Sequence, residues 1–296
     1  MKNMEINISK YAGFCNGVQR AYEIVQKLAN DSQIKKPIYV LGSLVHNNDV
    51  VRNIEKLGIK KIDFSGKISE AKKEINKHQI GTLVITAHGI GPEIFEVAEK
   101  KNIDIVDTTC PKVIKAQRLA EVAWKRKRKI IIIGKKKHKE TMGILRWARK
   151  KAVVVETEYD AQKIYEFISP EDKITIVSQT TQNQNRVDKI IEKLLLKFPS
   201  AEVLDTVCET TKNRQEEAKS LAEQNDVMLI VGSPDSSNST ELWEISKNVN
   251  PRSHFIERAE QIDFEWFKDC QNVGLTAGAS TPDWVTKKII EMIEEI

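Results

Sequence analysis

Aromatic residues are scarce in this 296-residue chain, only 6% of it. No run of stacking side chains alternates with its basic clusters, which argues against a nucleic-acid surface. No apolar run approaches the roughly 18 residues that cross a bilayer, and no signal peptide opens the chain. The expected location is the cytoplasm, where cysteines do not serve as disulfide staples. Cysteine itself is rare: there are four, and no two form a CxxC pair, so a zinc ribbon is excluded. Histidine is nearly as rare, at five. A large excess of one charge sign is also missing, since the formal net charge is only +5. The densest basic stretches, Lys125-Arg126-Lys127-Arg128-Lys129 and Lys135-Lys136-Lys137, read as a solvated helix end and a loop. Their functional alternative is attraction of a phosphorylated substrate or an acidic electron donor.

The few cysteines are regularly placed. Cys15 and Cys110 lie 95 residues apart, Cys110 and Cys208 98 apart. Other motifs keep step. Val40-Leu41-Gly42, Ile132-Ile133-Gly134 and Ile230-Val231-Gly232 place their glycines 92 and 98 residues apart. Thr86, Ser178 and Thr276 show the same two offsets. Asp107-Thr108-Thr109-Cys110 is echoed by Asp205-Thr206-Val207-Cys208. Shared offsets across separate motifs indicate three diverged copies of one unit, each the size of a small domain. The copies are divided as 1–109, 110–207 and 208–296. Cys270 falls outside the repeat and is expected to be buried or inert.

Short apolar strands alternate with helical patterns. Strand-like runs include Lys129–Ile133, Ile174–Ser178 and Val227–Val231. Val18, Ala21, Val25 and Leu28 mark one helix face after Cys15, and Val113, Ala116, Ala120 and Ala123 another after Cys110. This alternation predicts α/β architecture: three similar small parallel-sheet domains, with each sheet covered on both faces. Ligands of such sheets bind beyond the carboxyl ends of the strands. A pseudo-threefold trefoil would aim those loops at one central cavity. The third copy holds one strand too few, and the amino-terminal run Glu5–Ser9 is expected to supply it.

Three thiolates at one point can hold an iron–sulfur cluster with one iron left open to substrate. Each cysteine precedes a helical pattern, whose amino end favours the thiolate. His46, His88 and His138 sit in strand-end loops and suit phosphate oxygens, a three-histidine zinc site being the competing idea. Ser236-Ser237-Asn238 and Ser280-Thr281-Pro282 precede helices. They suit capping, with Thr281 as the cap of the second, and equally suit anion binding. Thr180-Thr181 occupies the corresponding loop of the middle copy. Glu140 is the one carboxylate in the set, read either as a helix-start glutamate or as a proton donor beside His138.

Together these residues resemble the 4-hydroxy-3-methylbut-2-enyl diphosphate reductase family over nearly the whole chain. The carriers are Gly13-Phe14-Cys15-Asn16-Gly17, Val45-His46-Asn47, Ala87-His88-Gly89, Thr109-Cys110-Pro111 and His138-Lys139-Glu140. Further on come Gln179-Thr180-Thr181, Asn213-Arg214-Gln215, Ser236-Ser237-Asn238 and Thr276-Ala277-Gly278-Ala279-Ser280. The resemblance implies a trefoil around one [4Fe–4S] cluster held by Cys15, Cys110 and Cys208. It implies that His46, His88, His138, Thr180, Ser236, Ser237, Asn238 and Ser280 contact the substrate, mostly its diphosphate. Glu140 would deliver protons while the substrate hydroxyl sits at the open iron. Two electrons from a ferredoxin or flavodoxin type donor, with two protons, would remove that hydroxyl as water. The products would be isopentenyl and dimethylallyl diphosphate. One departure stands out: Lys139 occupies the place where the family usually has proline. Two other readings share the cysteines: a [4Fe–4S] dehydratase without net redox change, and a non-catalytic iron–sulfur sensor.

Overall fold

The run Lys129-Ile130-Ile131-Ile132-Ile133 shows how this chain builds a sheet. β-Branched side chains suit an extended backbone, and four in a row without polar alternation need apolar cover on both faces. In the computed structural model, which describes residues 4–169 and 171–295, these residues form a strand. All four isoleucines are fully buried. Ile131 and Ile133 pack with Val187, Ile190 and Leu194 of the helix Gln184–Lys197. Ile130 and Ile132 pack on the opposite face with Ala116, Ala120 and Ala123 of the helix Pro111–Lys125. Removing such a side chain from water contributes about 1.5–3 kcal/mol each.

Strand β1 (Glu5–Ile8) comes first in the chain. Then β2 (Ile38–Leu41), β3 (Lys60–Ile62), β4 (Thr82–Ile85) and β5 (Asp104–Asp107) form a sheet in the order β3-β2-β4-β5. A second sheet, β7-β6-β8-β9, is built from β6 (Lys129–Ile133), β7 (Ala152–Val155), β8 (Ile174–Ser178) and β9 (Glu202–Val203). The third takes β10 (Val227–Val231), β11 (Ser253–Ile256) and β12 (Asn272–Ala277). Its order is β1-β12-β10-β11, so β1 fills the place of the missing fourth strand, with Glu5 opposite Asn272 and Ile8 opposite Leu275. All pairings are parallel. Three parallel α/β sheets of one topology are therefore present, as the repeat predicts. Strand β3 is the one that the apolar pattern does not reveal, because its three residues are Lys, Lys and Ile.

The chain divides into two compact units. One comprises residues 1–19, 46–50 and 208–296 and holds the third sheet; the other comprises residues 20–45 and 51–207 and holds the first two. In the first-named unit, Val227, Leu229 and Val231 pack on one side of the sheet with Ile289 and Ile293, while Met228 and Ile230 pack on the other with Ala218 and Leu242. Cys270 lies in that core, 4% exposed, as expected of the cysteine outside the repeat.

The repeated glycines mark where each first strand ends. Gly42, Gly134 and Gly232 each donate a backbone hydrogen bond to the neighbouring strand, at Ile62, Val155 and Ile256. In the last two copies the need for glycine is space. A Cβ on Gly134 would come within 2.8 Å of Thr141 Oγ1, and one on Gly232 within 2.6 Å of Ser239 Cβ. Both neighbours stand seven residues further on, in the helix that follows. Substituting Gly232→Ala should push that helix off the sheet and cost about 1–3 kcal/mol, the usual penalty for overpacking. A urea midpoint unchanged from wild type would contradict this tight approach.

Candidate active site

Each repeat delivers its cysteine to the start of a helix. Cys110 and Cys208 are the N-cap residues of Pro111–Lys125 and Glu209–Gln224, with nearly equal backbone angles (φ −58, ψ 133 and φ −71, ψ 132). Cys15 immediately precedes the helix Asn16–Asn30, and its N–H donates to the Ala279 carbonyl at 3.2 Å. Pro111 opens its helix where a missing N–H costs nothing. All three cysteines are half-buried, and none is in a disulfide. In Cys110 and Cys208 the sulfur makes no capping hydrogen bond. Three partly accessible thiols in this setting are a chemically fitting donor set for an iron–sulfur cluster. Among the described residues no group of three or more His, Cys, Asp or Glu is placed to hold a single metal ion.

In the unit holding the third sheet, a row of small polar groups starts at Cys15 and ends at His46. The Ala279 N–H donates to Asn238 Oδ1 at 2.9 Å. Ser236 caps the helix Ser237–Val249, accepting from the Ser239 N–H at 3.3 Å. Ser280 Oγ lies 3.4 Å from Ser236 Oγ and donates to the His46 carbonyl at 3.1 Å. Ser236, Ser237, Asn238 and Ser280 are all buried. Asn238 Nδ2 is buried as well and meets no acceptor. A buried amide donor left open at a helix amino end is what an anion would satisfy. Ser236 thus takes the capping role, one of the two that the sequence allows. At the next helix, Asp283–Glu294, Thr281 is not the cap: Pro282 stands there, and Thr281 Oγ1 donates to the Val231 carbonyl at 3.0 Å. That carbonyl, at the end of β10, also accepts the Gly278 N–H at 2.8 Å, so the hydroxyl is drawn to the strand end rather than to the helix.

In the other unit, His138 caps the helix Lys139–Trp147, its Nδ1 accepting from the Glu140 N–H at 3.2 Å. In the neutral ring this leaves the proton on Nε2, by assignment from the hydrogen-bond pattern. The His88 ring stands edge-on to His138, with centroids 5.9 Å apart. Glu140 points inward, 2% exposed. Its carboxylate accepts from the Thr180 N–H at 2.5 Å and from Thr180 Oγ1 at 3.0 Å. Burial pushes its pKa up to about 7, against the downward pull of the two Thr180 hydrogen bonds. A helix-start glutamate held for the dipole alone would face solvent, whereas Glu140 is turned inward against Thr180. The same helix also shows Lys139 in its first turn, with Nζ 5.6 Å from the centroid of the Phe64 ring.

Sequence reasoning gave no role to two residues that organise these clusters. Gln179 is fully buried; its Oε1 accepts from the Lys135 N–H at 3.0 Å and Thr141 Oγ1 at 3.1 Å, while Nε2 donates to Thr181 Oγ1 at 2.8 Å. It fixes the loop from which Thr180 meets Glu140. The signal for it lay in the repeat: the equivalent positions, 87 and 277, are alanines. Arg214 is the second, described below. The basic stretches follow their plainer reading. Lys125, Arg126, Lys127 and Lys129 are exposed around a helix end, Arg128 binds Thr175 Oγ1 at 2.6 Å, and Lys136 pairs with Asp160 at 2.7 Å. No described helix is long and apolar enough to cross a membrane.

Comparison with known proteins agrees along the whole length. Residues 6–294 match the family described as LytB protein. A 4-hydroxy-3-methylbut-2-enyl diphosphate reductase of Citrifermentans bemidjiense is 36% identical over 293 residues, covering 99% of this chain and 98% of its own. One from Aquifex aeolicus is 35% identical over 296 residues, covering 99% and 97%. The solved E-1-hydroxy-2-methyl-but-2-enyl-4-diphosphate reductase from Plasmodium falciparum superposes with a TM-score of 0.89 at 32% identity, covering 98% of this chain and 88% of that one. A solved (E)-4-hydroxy-3-methyl-but-2-enyl diphosphate reductase, the terminal enzyme of the non-mevalonate pathway, gives 0.70 at 34% identity, covering 99% and 100%.

The raised Glu140 has a consequence for stability. The folded state keeps this proton to about pH 7, whereas an unfolded glutamate releases it near 4.5. Between those values the folded state binds more protons, so its stability falls as pH rises. The loss amounts to about 3 kcal/mol across the window. Glu140→Gln carries no such proton and should be spared it. Urea midpoints of both proteins at pH 5 and pH 8 test this: wild type should lose ground to the variant, and parallel curves would mean an ordinary carboxyl.

Proposed function

This chain belongs to the LytB protein family, and on that premise we propose that it reduces 4-hydroxy-3-methylbut-2-enyl diphosphate to isopentenyl and dimethylallyl diphosphate. The structural observation that carries the reading is Glu140, a buried carboxyl still partly protonated at neutral pH and held by Thr180. Replacing a carbon–oxygen bond by a carbon–hydrogen bond consumes two electrons and two protons and releases water. The hydroxyl is a poor leaving group until protonated, and a general acid of pKa near the working pH serves best.

The three cysteines support one [4Fe–4S] cluster as the cofactor, with Cys15, Cys110 and Cys208 assigned as its ligands. When bound, such a cluster supplies low-potential electrons and a Lewis-acidic iron. The remaining work belongs to the chain's own residues. In one unit Ser236, Ser237, Asn238, Ser280 and His46 are assigned to the diphosphate, as donors of a buried helix amino end. In the other, His88, His138 and Thr180 are assigned to substrate oxygens, with His138 offering Nε2–H. Glu140 holds the proton destined for the leaving oxygen, and Thr180 fixes its carboxyl in direction. Its burial keeps bulk water from exchanging that proton freely. A ferredoxin or flavodoxin type protein is assigned as electron donor, in a chain placed in the cytoplasm.

Replacing Cys15, Cys110 or Cys208 by Ser should lower bound iron and abolish turnover, because a hard hydroxyl replaces a soft thiolate. Cys270→Ser should do neither, and equal iron loss there would overturn the ligand assignment. Ser236→Ala and Ser280→Ala should each weaken diphosphate binding roughly ten- to a hundred-fold, the worth of a hydrogen bond to a charged group. Isothermal titration with the cluster's absorption unchanged is the check, and full affinity in both variants would place the anion elsewhere. Glu140→Gln should assemble its cluster normally yet lose turnover by about a hundred-fold or more. Product analysis with and without reductant separates this reaction from a redox-neutral dehydration: product formed without reductant would refute the reductase.

A further inference from the structure

Arg214 stands on the helix Glu209–Gln224, six residues after Cys208, and is only 3% exposed. The matching positions after Cys15 and Cys110 are Ala21 and Ala116, both fully buried. Packing at this point of the repeat therefore asks for a small apolar side chain, and the third copy alone spends a guanidinium there. Nη1 donates to the Ala277 carbonyl at 2.9 Å, and Nη2 to the Gly13 carbonyl at 2.8 Å. Gly13 lies two residues before Cys15, whose own N–H binds Ala279. Arg214 thus ties the Cys15 loop to the end of β12 from a helix that begins at Cys208.

Two carbonyls do not balance a buried cation. The Arg214 Nε–H is buried without an acceptor, and among the described residues no carboxylate lies within ion-pair distance of the guanidinium. Glu217, one turn further along the helix, is turned to the amino-terminal strand instead, accepting from Ser9 Oγ and from the Lys10 N–H at 3.1 Å. Burial lowers the Arg214 pKa, and Cys15, Glu217 and Cys208 are the charges that pull it back up. An isolated buried charge is costly unless an anion answers it. In a site where thiolates hold an iron–sulfur cluster, the thiolates outweigh the cluster's own positive charge, and each added electron deepens that excess.

We infer that Arg214 is the charge-balancing residue of the iron–sulfur site: it fixes the Cys15 loop against the Cys208 helix, and its buried positive charge favours the reduced cluster. The inference rests on the cluster reading above. It makes Arg214 a positioning and tuning residue that touches neither substrate nor reacting atoms. Net charge and hydrogen bonding near the sulfurs are the levers by which a protein sets cluster potential.

The test is a redox titration of the anaerobically purified holoprotein, with iron content and absorption spectrum measured on the same samples, for wild type, Arg214→Gln and Arg214→Lys. Arg214→Gln should keep its iron but shift the reduction equilibrium about tenfold toward the oxidised form, a fall of about 59 mV for one electron. Arg214→Lys, which keeps the charge, should stay close to wild type. An intact cluster with unchanged potential in Arg214→Gln would overturn the inference. Should Arg214→Gln take up no iron, Arg214→Lys decides. A loaded cluster at wild-type potential supports the charge role. Failure to load shows that only the guanidinium's two backbone bonds matter, and refutes it. Absence of a cluster in wild type would instead overturn the cluster reading itself.

Discussion

Two parallel strands cannot be joined by a tight turn. The chain must leave one strand at its carboxyl end, cross over as a helix and re-enter at the far edge of the sheet. Within each sheet every strand therefore releases its following loop at the same edge. Gly42, Gly134 and Gly232 stand at such exits, as do Thr86, Ser178 and Gly278. The cysteines follow the same rule, since Cys110 comes after β5 and Cys208 after β9. Polar residues can collect there at little cost to the sheets, whose apolar stretches, Ile130 to Ile133 in β6 and the whole of β10, remain buried.

This geometry explains which parts of the protein were legible in the sequence. Long apolar strands announce themselves, and so do helices with one apolar face. The repeat offsets mark the glycine exits and the cysteines at helix starts. β3 escaped because a three-residue edge strand needs only one buried side chain, Ile62, and otherwise presents lysines to solvent. Thr281 misled because its hydroxyl had two possible partners, the next helix or the end of β10, and only the fold says which is nearer. Gln179 and Arg214 were visible as letters but not as roles. Each breaks a position that the other copies fill with alanine, and a polar group that displaces alanine in a core must be answering another polar group.

Glu140 and Arg214 answer burial in opposite ways. Glu140 can give up its charge by keeping a proton, so desolvation yields a poised acid. Arg214 cannot discharge at any ordinary pH, so its desolvation has to be met by carbonyls and by neighbouring anions. One environment stores a proton and the other stores a charge. A reaction that consumes both protons and electrons has use for each, and the chain keeps them on different repeats, Glu140 in the second and Arg214 in the third.

The pairing of β1 with β12 joins the first strand to the last across 267 residues. During synthesis β1 emerges early and then waits, with no partner for its edge, until β12 has been made. At ordinary elongation rates that delay is on the order of ten to fifty seconds. The loop bearing Cys15 shares the wait, because the carbonyl that receives its N–H belongs to Ala279. The first two sheets can close while the third stands open, its strand exposed to stray pairing. A nascent chain cannot present Cys15 in its final setting before β12 and the loop that carries Ala279 have been translated.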